Sequence, residues 1–353
     1  MDSPEKGHPG SSSSNFHLEP EDCKAYMRID GVPKKIERLG QAKARTKDFL
    51  DYACGLPESQ SSNLRIPGFR LSKMLEETRH CADDLVVRRW PTADHYGLIT
   101  RFCHRHLLCM VCAIQRGSFQ MSRAMQRVDL IGGLGNRQIY MLTLTVKNGP
   151  DLAERYDHLV AGLRFMQQAR RSRKHATCFK QLSGGMFSYE FKRGNDNLWH
   201  PHVHMLVTSP NELAIEQRPD RDGGSSWRWP DLSREWHRAT GDSYIVECHP
   251  VYQNGPGGLN GALCEVFKYA VKVNELQHSD RLSALQILYR KRLLGTFGEF
   301  YGVGIDSDPV KQKRRMDIED KCQGESDVQA YRFDHGDFRL KDFWLEPAKC
   351  LSW

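Results

Sequence analysis

The chain has 353 residues, 39% of them hydrophobic and 27% charged, with a mean hydropathy of −0.62. That supplies apolar material for one large domain or two smaller ones, each with a core of its own. No apolar run is long enough to cross a bilayer and Met1 opens no signal-peptide pattern, so a cytoplasmic location without membrane contact is expected. A net charge of +7 and a pI near 8.8 suit a partner that carries phosphates. The 11 cysteines are an odd number without a secretion signal. This argues against a disulfide scaffold and for metal ligation wherever cysteines cluster.

In chain order, residues 1–35 read as a disordered tail, poor in apolar residues and rich in Ser, Gly and Pro. From about 36 to 80 the pattern is helical and charged, interrupted by a Ser/Pro/Gly loop from Gly55 to Gly68. A cysteine cluster follows, then a basic helix from Ala113 to Val128 that carries Arg116, Arg123 and Arg127. Beyond the turn at Gly132–Asn136, Ile139–Val146 alternates as a strand. Asp151–Arg171 is a helix, Met186–Phe191 a second strand and His202–Val207 a third. Residues 210–230 read as an exposed loop, and Asp231 as the cap of a short helix that runs to Arg238. Tyr244–Val251 is a fourth strand, and Leu259–Lys272 a further helix. The order is α+β and fits a small antiparallel sheet with helices on one face. The segment after about 310 reads as a charged, peripheral tail, and no internal repeat is visible.

Residues 199–207 read WHPHVHMLV. In a strand, residues two apart share a face, so His200, His202 and His204 project together. Packing there is better served by Val or Ile, and a divalent cation is the simplest use for three imidazoles. Glu190, in the preceding strand FSYEFK, is the nearest carboxylate that would suit the site to Mg²⁺ or Mn²⁺.

Residues 264–272 read CEVFKYAVK. On a helix Glu265 and Tyr269 share a face, flanked by Lys268 and Lys272. A tyrosine hydroxyl can attack a phosphodiester, leaving a 5′-phosphotyrosyl bond and a free 3′-OH. A nearby cation would stabilise the developing charge, the lysines would hold the phosphodiester, and Glu265 could activate water. Alone, such a helix is unremarkable; its weight comes from the histidine strand beside it.

Cys103, Cys109 and Cys112 give three closely spaced thiolates, and Cys81 can supply a fourth, with His80, His104 and His106 as alternatives. Four such ligands hold Zn²⁺ tetrahedrally in a structural site. The helix that follows would present Arg116 and Arg123 to DNA. The other cysteines, Cys264 among them, read as incidental thiols.

Together these residues resemble the HUH endonucleases, and among them the rolling-circle replication initiators (Rep proteins) of plasmids and phages. Tyr140–Asn148 (YMLTLTVKN) looks like the family's first motif, His200–Val207 (HPHVHMLV) like its metal motif, and Glu265–Lys272 (EVFKYAVK) like its single-tyrosine motif. Phe102–Gly117 is similar to the Cys-rich stretch that precedes the catalytic domain in many initiators, so the resemblance spans roughly residues 75–300.

The resemblance implies an RRM- or ferredoxin-like fold: a central antiparallel sheet with helices packed on it, preceded by a small zinc-binding segment. The corresponding division is a tail to 35, a helical and Cys-rich region 36–130, a catalytic domain 131–310 and a charged tail 311–353. It gives His202, His204 and Glu190 to the catalytic cation, His200 a supporting role, and Tyr269 the nucleophile's. Glu265 would support the hydrolysis that ends a replication round. The flanking lysines complete the expected site, Lys272 among the catalytic residues and Lys268 on DNA.

Single-stranded or hairpin origin DNA would be the partner. No P-loop is present, so a host helicase would unwind the duplex and a host polymerase extend the 3′ end. Two other readings stay open: a zinc-containing DNA-binding protein that does not nick, and a transposase or relaxase of the same superfamily. Relaxases usually carry the tyrosine ahead of the histidine motif, whereas Tyr269 follows it.

Overall fold

The computed structural model describes residues 32–56, 71–90, 95–219, 225–252, 258–303 and 325–347. Two amphipathic helices come first, α1 (Val32–Cys54) and α2 (Leu71–Arg79). In α1, Ile36, Leu39, Ala42, Phe49, Leu50 and Ala53 recur at helical spacing and are all buried. Helix α1 starts inside the segment expected to be a tail, and only residues 32–35 of that tail are described. The expected loop at Gly55–Gly68 lies, past Leu56, outside the described residues.

Strands β1 (Asp84–Trp90) and β2 (His95–Ile99) precede the long helix α3 (Met110–Leu130). Strand β3 (Gln138–Thr145) then leads to α4 (Leu152–Arg171). Asp151 caps α4, its carboxylate accepting from the amides of Ala153 at 2.8 Å and Glu154 at 3.2 Å. A hairpin of β4 (Gly184–Arg193) and β5 (Trp199–Ser209) follows, then short strands β6 (Glu216–Pro219) and β7 (Ser225–Arg228).

Helix α5 (Pro230–Thr240), strand β8 (Val246–Pro250) and helices α6 (Leu259–Phe267), α7 (Tyr269–Glu275) and α8 (His278–Leu288) lead to β9 (Leu294–Gly298). Strands β10 (Glu325–Asp334) and β11 (Asp337–Pro347) end the described chain. Every strand pairing is antiparallel: one sheet runs β6-β7-β8-β3-β5-β4-β9, the other β11-β10-β1-β2.

The α+β class holds, but several sequence expectations need correction. The sheet carries helices on both faces, not one. On one face, Leu142, Val203, Met205 and Val207 pack with Leu159, Leu163 and Trp236 of α4 and α5. On the other, Ile139, Met186 and Leu206 pack with α3 and α6 through Met121, Ala124, Leu263 and Val266. Residues 210–230 are more than an exposed loop, because β6 and β7 extend the sheet and Leu213 and Trp229 are buried. Asp231 does not cap α5: Trp229 takes that position, Pro230 starts the helix, and Asp231 pairs with Arg234 in the first turn.

The segment after 310 is no peripheral tail where it is described, since β10 pairs with β1 over Asp84–Arg89. A charged strand reads as exposed in sequence, but a partner more than two hundred residues away supplies its hydrogen bonds. The helix expected over Leu259–Lys272 is interrupted at Lys268, so Tyr269 opens a new helix instead of sitting inside the old one. Among the described residues no helix is long and apolar enough to cross a membrane.

Candidate active site and metal centres

Strand alternation builds the first site. On β5, Val203, Met205 and Val207 face the α4 side, each contributing about 1.5–3 kcal/mol by burial. Positions 202 and 204 on the opposite face forgo that gain for two imidazoles, both only 8% exposed. Antiparallel pairing sets Glu190 of β4 opposite His202, and Thr143 of β3 opposite His204. The Glu190 carboxylate is 1% exposed, with Oε1 at 3.4 Å from His202 Nε2 and Oε2 at 3.4 Å from His204 Nε2.

The outer nitrogens are already engaged: His202 Nδ1 lies 3.2 Å from the His200 carbonyl, and His204 Nδ1 lies 3.1 Å from the Thr143 hydroxyl. Both Nε2 atoms are thereby turned toward Glu190. Both Glu190 oxygens and His204 Nε2 are buried without a hydrogen bond. Such orphaned atoms are costly unless a cation sits among them. Ligands about 2.1 Å from a common ion stand roughly 3.0–3.4 Å apart, which the observed separations match. The three residues therefore can hold a metal ion.

Burial raises the proton affinity of the Glu190 carboxyl, but the two imidazoles outweigh it and hold the group well below the usual carboxylate range. Burial lowers the His202 imidazole, and Glu190 counteracts this in part. The Lys192 ammonium reaches 3.2 Å from Glu190 Oε1, placing positive charge at the rim of the same site.

His200 stays out of the group. It lies where the β4–β5 hairpin turns, and its Nε2 is 3.2 Å from Asp196 in that turn. Glu265 comes nearer than sequence alone required, with Oε1 at 3.8 Å from His204 Nε2. Lys268, expected on DNA, pairs with Glu265 and is buried. Lys272 pairs with Glu275 at 2.9 Å, its side chain only 12% exposed. Tyr269 follows Lys268 directly at the start of α7.

The second centre gathers Cys81, Cys103, Cys109 and Cys112, with all four sulfurs within 4.8 Å of one another. Sγ–Sγ separations are 3.5 Å for Cys81–Cys112 and 3.6 Å for Cys103–Cys112 and Cys81–Cys109. A disulfide needs about 2.05 Å, whereas thiolates about 2.3 Å from a tetrahedral ion stand about 3.8 Å apart. The donor set thus fits a metal such as zinc, and the fourth position goes to Cys81.

The candidate histidines are elsewhere: His80 lies 3.0 Å from Asp83, and His106 is a half-buried imidazole pushed down to about 4 by burial and by Arg116. The Cys103 amide donates to Cys81 Sγ at 3.3 Å, and Cys112 lies in the first turn of α3. Hydrogen bonds from Cys109, Cys112 and Cys81 lower the Cys103 thiol, while hydrogen bonds within the cluster and burial raise the other three. Cys54, Cys178 and Cys248 are free thiols, but Cys264, expected to be incidental, is disulfide-bonded.

The model of the Rep_1 family, described as replication protein, matches residues 98–333. The chain belongs to that family. It is a replication protein of the initiator kind, and the matched span includes Glu190, His202, His204, Glu265, Tyr269 and three of the four clustered cysteines. Searches of curated proteins and of solved structures gave no match.

Of the arginines expected on DNA in this replication protein, Arg116 lines a cleft beside the cysteine centre, and Arg123 lies over the Phe119 ring at 5.5 Å. Sequence reasoning missed Thr143, which aligns His204. The alternation of YMLTLTV placed its hydroxyl on one face, but the pairing register had to supply the histidine. It also missed Asn274 and Arg281. Asn274 of α7 donates to the His106 carbonyl at 2.9 Å, and Arg281, fully buried, donates to the Leu108 carbonyl at 2.5 Å and to Asn274. These bonds tie the helix that Tyr269 opens to the loop that carries the cysteines.

Proposed function

We propose that the replication protein is a metal-dependent nickase of the HUH type, with Tyr269 as the nucleophile. The observation that carries the reading is the buried Glu190–His202–His204 trio, whose ligand atoms lie within 4.8 Å of one another, with Glu265, four residues before Tyr269, 3.8 Å from His204. A bound Mg²⁺ or Mn²⁺ would polarise the scissile phosphate and stabilise its developing charge.

In this reading the Tyr269 phenol loses its proton and its oxygen bonds to phosphorus. The bond from phosphorus to the 3′ oxygen breaks, and that oxygen takes up a proton to become the 3′-OH. Thr143 and the His200 carbonyl keep the imidazoles aligned. Lys268 holds Glu265 in place, from where the carboxylate assists hydrolysis of the phosphotyrosyl bond at the end of a round.

Residues 131–310 then form the catalytic domain, on an RRM-like sheet, and residues 36–130 a region pinned by zinc. Single-stranded or hairpin origin DNA is the substrate, and a host helicase and polymerase act on the nicked product.

The test is a nicking assay with purified protein, labelled single-stranded candidate-origin oligonucleotides and Mn²⁺. A covalent adduct that needs Mn²⁺ and vanishes in Tyr269→Phe is the expected result. Equal adducts from wild type and variant would transfer the role to another tyrosine. DNA binding without cleavage of any candidate origin would favour a zinc-containing DNA-binding protein instead.

A further inference from the structure

Helix α7 (Tyr269–Glu275) has seven residues and is cut off from α6 at Lys268. A helix that short does not hold its shape in water, so its place is set by what it touches. It packs on β4, the strand that carries Glu190, and on α3, whose first turn carries Cys112. We propose that Asn274 and Arg281 are positioning residues, through which the four-cysteine centre holds the helix of Tyr269 in place beside the strand of Glu190. Their role rests on the reading of Tyr269 as the nucleophile, and it gives the cysteine centre a part in the chemistry beyond keeping its own region folded.

The link is built from backbone carbonyls of the cysteine loop. Cys103 and Cys109 flank residues 104–108, and the amides of Leu108 and Cys109 both donate to the Arg105 carbonyl, at 2.9 Å and 2.7 Å. Two other carbonyls of that turn are taken up by the helices that follow Lys268. Asn274 Nδ2 donates to the His106 carbonyl at 2.9 Å, and Arg281 donates to the Leu108 carbonyl at 2.5 Å. Arg281 also donates to Asn274 Oδ1, which joins the loop, α7 and α8 in one network.

Arg281 stands where an apolar residue would be expected. It lies on the buried stripe of α8 that continues as Leu285 and Leu288. The residue is 1% exposed, and its guanidinium lies over the Phe49 ring of α1 at 3.9 Å. A buried charge is costly, and a well-packed apolar side chain of the same volume often stabilises a fold as much or more. What an apolar residue could not supply is a donor to the Leu108 carbonyl and to Asn274 at once. Asn274 is 5% exposed, so water competes little for these bonds.

Four sulfurs gathered on one ion fix both ends of the 104–108 loop, and with them its carbonyls. Loss of the ion frees those ends and loosens the anchorage of α7. Tyr269 stands five residues before Asn274, roughly 7.5 Å along the helix axis, so a shift at Asn274 reaches the start of the helix. A displacement of about 1 Å at a reacting group can cost about 100-fold in rate.

The experiment is hydrogen–deuterium exchange of the full chain, comparing peptides of α7 with peptides of β5. Wild type and Asn274→Asp are each measured with zinc and after anaerobic treatment with a chelator. Aspartate keeps an acceptor for Arg281 and removes the donor to the His106 carbonyl. One lost hydrogen bond should speed exchange over α7 about fivefold. Zinc removal from wild type and the substitution in zinc-loaded protein should each give that rise. The two together should give no more, because they break the same link. Exchange over β5, and the zinc content of the loaded variant by mass spectrometry, should stay at wild-type values. Asn274→Ala takes the place of Asn274→Asp should the new carboxylate raise exchange over β5.

Exchange over α7 that ignores zinc removal, or two rises that multiply, would overturn the proposal. So would a rise over β5 in zinc-free wild type, which would make the centre a general scaffold. In the nicking assay Asn274→Asp should lower kcat about tenfold, with KM for the oligonucleotide and the Mn²⁺-induced rise in Tm unchanged. A loosened α7 with an unchanged kcat denies the two residues their positioning role. Absence of nicking from wild type while the exchange coupling holds sinks the nickase reading and leaves the link between centre and helix standing.

Discussion

Replacing Glu190 with Gln tests the metal trio most directly, because it removes a buried anion while keeping the shape of the side chain. In wild type the carboxylate is 1% exposed, and both oxygens lie 3.4 Å from imidazole nitrogens without a hydrogen bond. With the amide, a divalent ion would lose the trio's only anionic ligand. Even partners one step removed from a metal are worth about 10–100-fold in affinity, so a loss of about 100-fold is a conservative expectation.

At a Mn²⁺ concentration 100 times the wild-type dissociation constant, binding stabilises wild type by about 2.7 kcal/mol. A 100-fold weaker variant gains about 0.4 kcal/mol at that concentration, a difference of about 2.3 kcal/mol. A chain of 353 residues has an unfolding entropy of roughly 0.7 kcal/mol per kelvin, so the Mn²⁺-induced rise in Tm should shrink by about 3 °C. Differential scanning fluorimetry with and without Mn²⁺ reads this increment, and any change in the metal-free protein cancels. An equal Mn²⁺ increment in wild type and Glu190→Gln would refute the assignment of the trio as the cation site.

Thr143→Val should weaken Mn²⁺ binding by about 10–100-fold with little change in fold, since it removes the hydroxyl that orients His204; calorimetric titration checks this, and unchanged affinity would deny Thr143 an aligning role. Cys112→Ser should reduce the zinc content measured by mass spectrometry from one ion per chain to a small fraction, with a lower Tm; a full complement of zinc would remove Cys112 from the ligand set. His106 has its pKa depressed to about 4, so the unfolded chain takes up its proton near 6.5 before the folded one does. Stability is therefore fully present above about pH 6.5 and falls as pH drops toward 4, by up to about 2 kcal/mol at pH 5. Urea unfolding at pH 7 and pH 5 should show this loss reduced in His106→Asn, and an equal loss in the variant would clear His106 of the effect.

Local periodicity determined a good deal about this protein. WHPHVHMLV declares a strand with His202 and His204 on one face, because strand alternation needs no distant partner. The spacing Cys103, Cys109, Cys112 likewise announces a metal cluster, and the spacing of Leu, Val and Phe along α4 announces its helix, whereas its Asp151 cap came only from the structure. Glu190 could be proposed because a short hairpin brings neighbouring strands back into register.

What the sequence could not decide depends on register, turns and long-range pairing. His200 obeys the same alternation as its neighbours, yet the hairpin turn commits its ring to Asp196. Thr143 meets His204 only through a pairing across 61 residues, and Arg281 meets the Leu108 carbonyl across 173. Strand β10 finds β1 only in three dimensions, since the two strands that pair lie more than two hundred residues apart. Periodicity fixes which way a side chain points along its own element; which side chain it then faces is settled by packing between elements far apart in the chain.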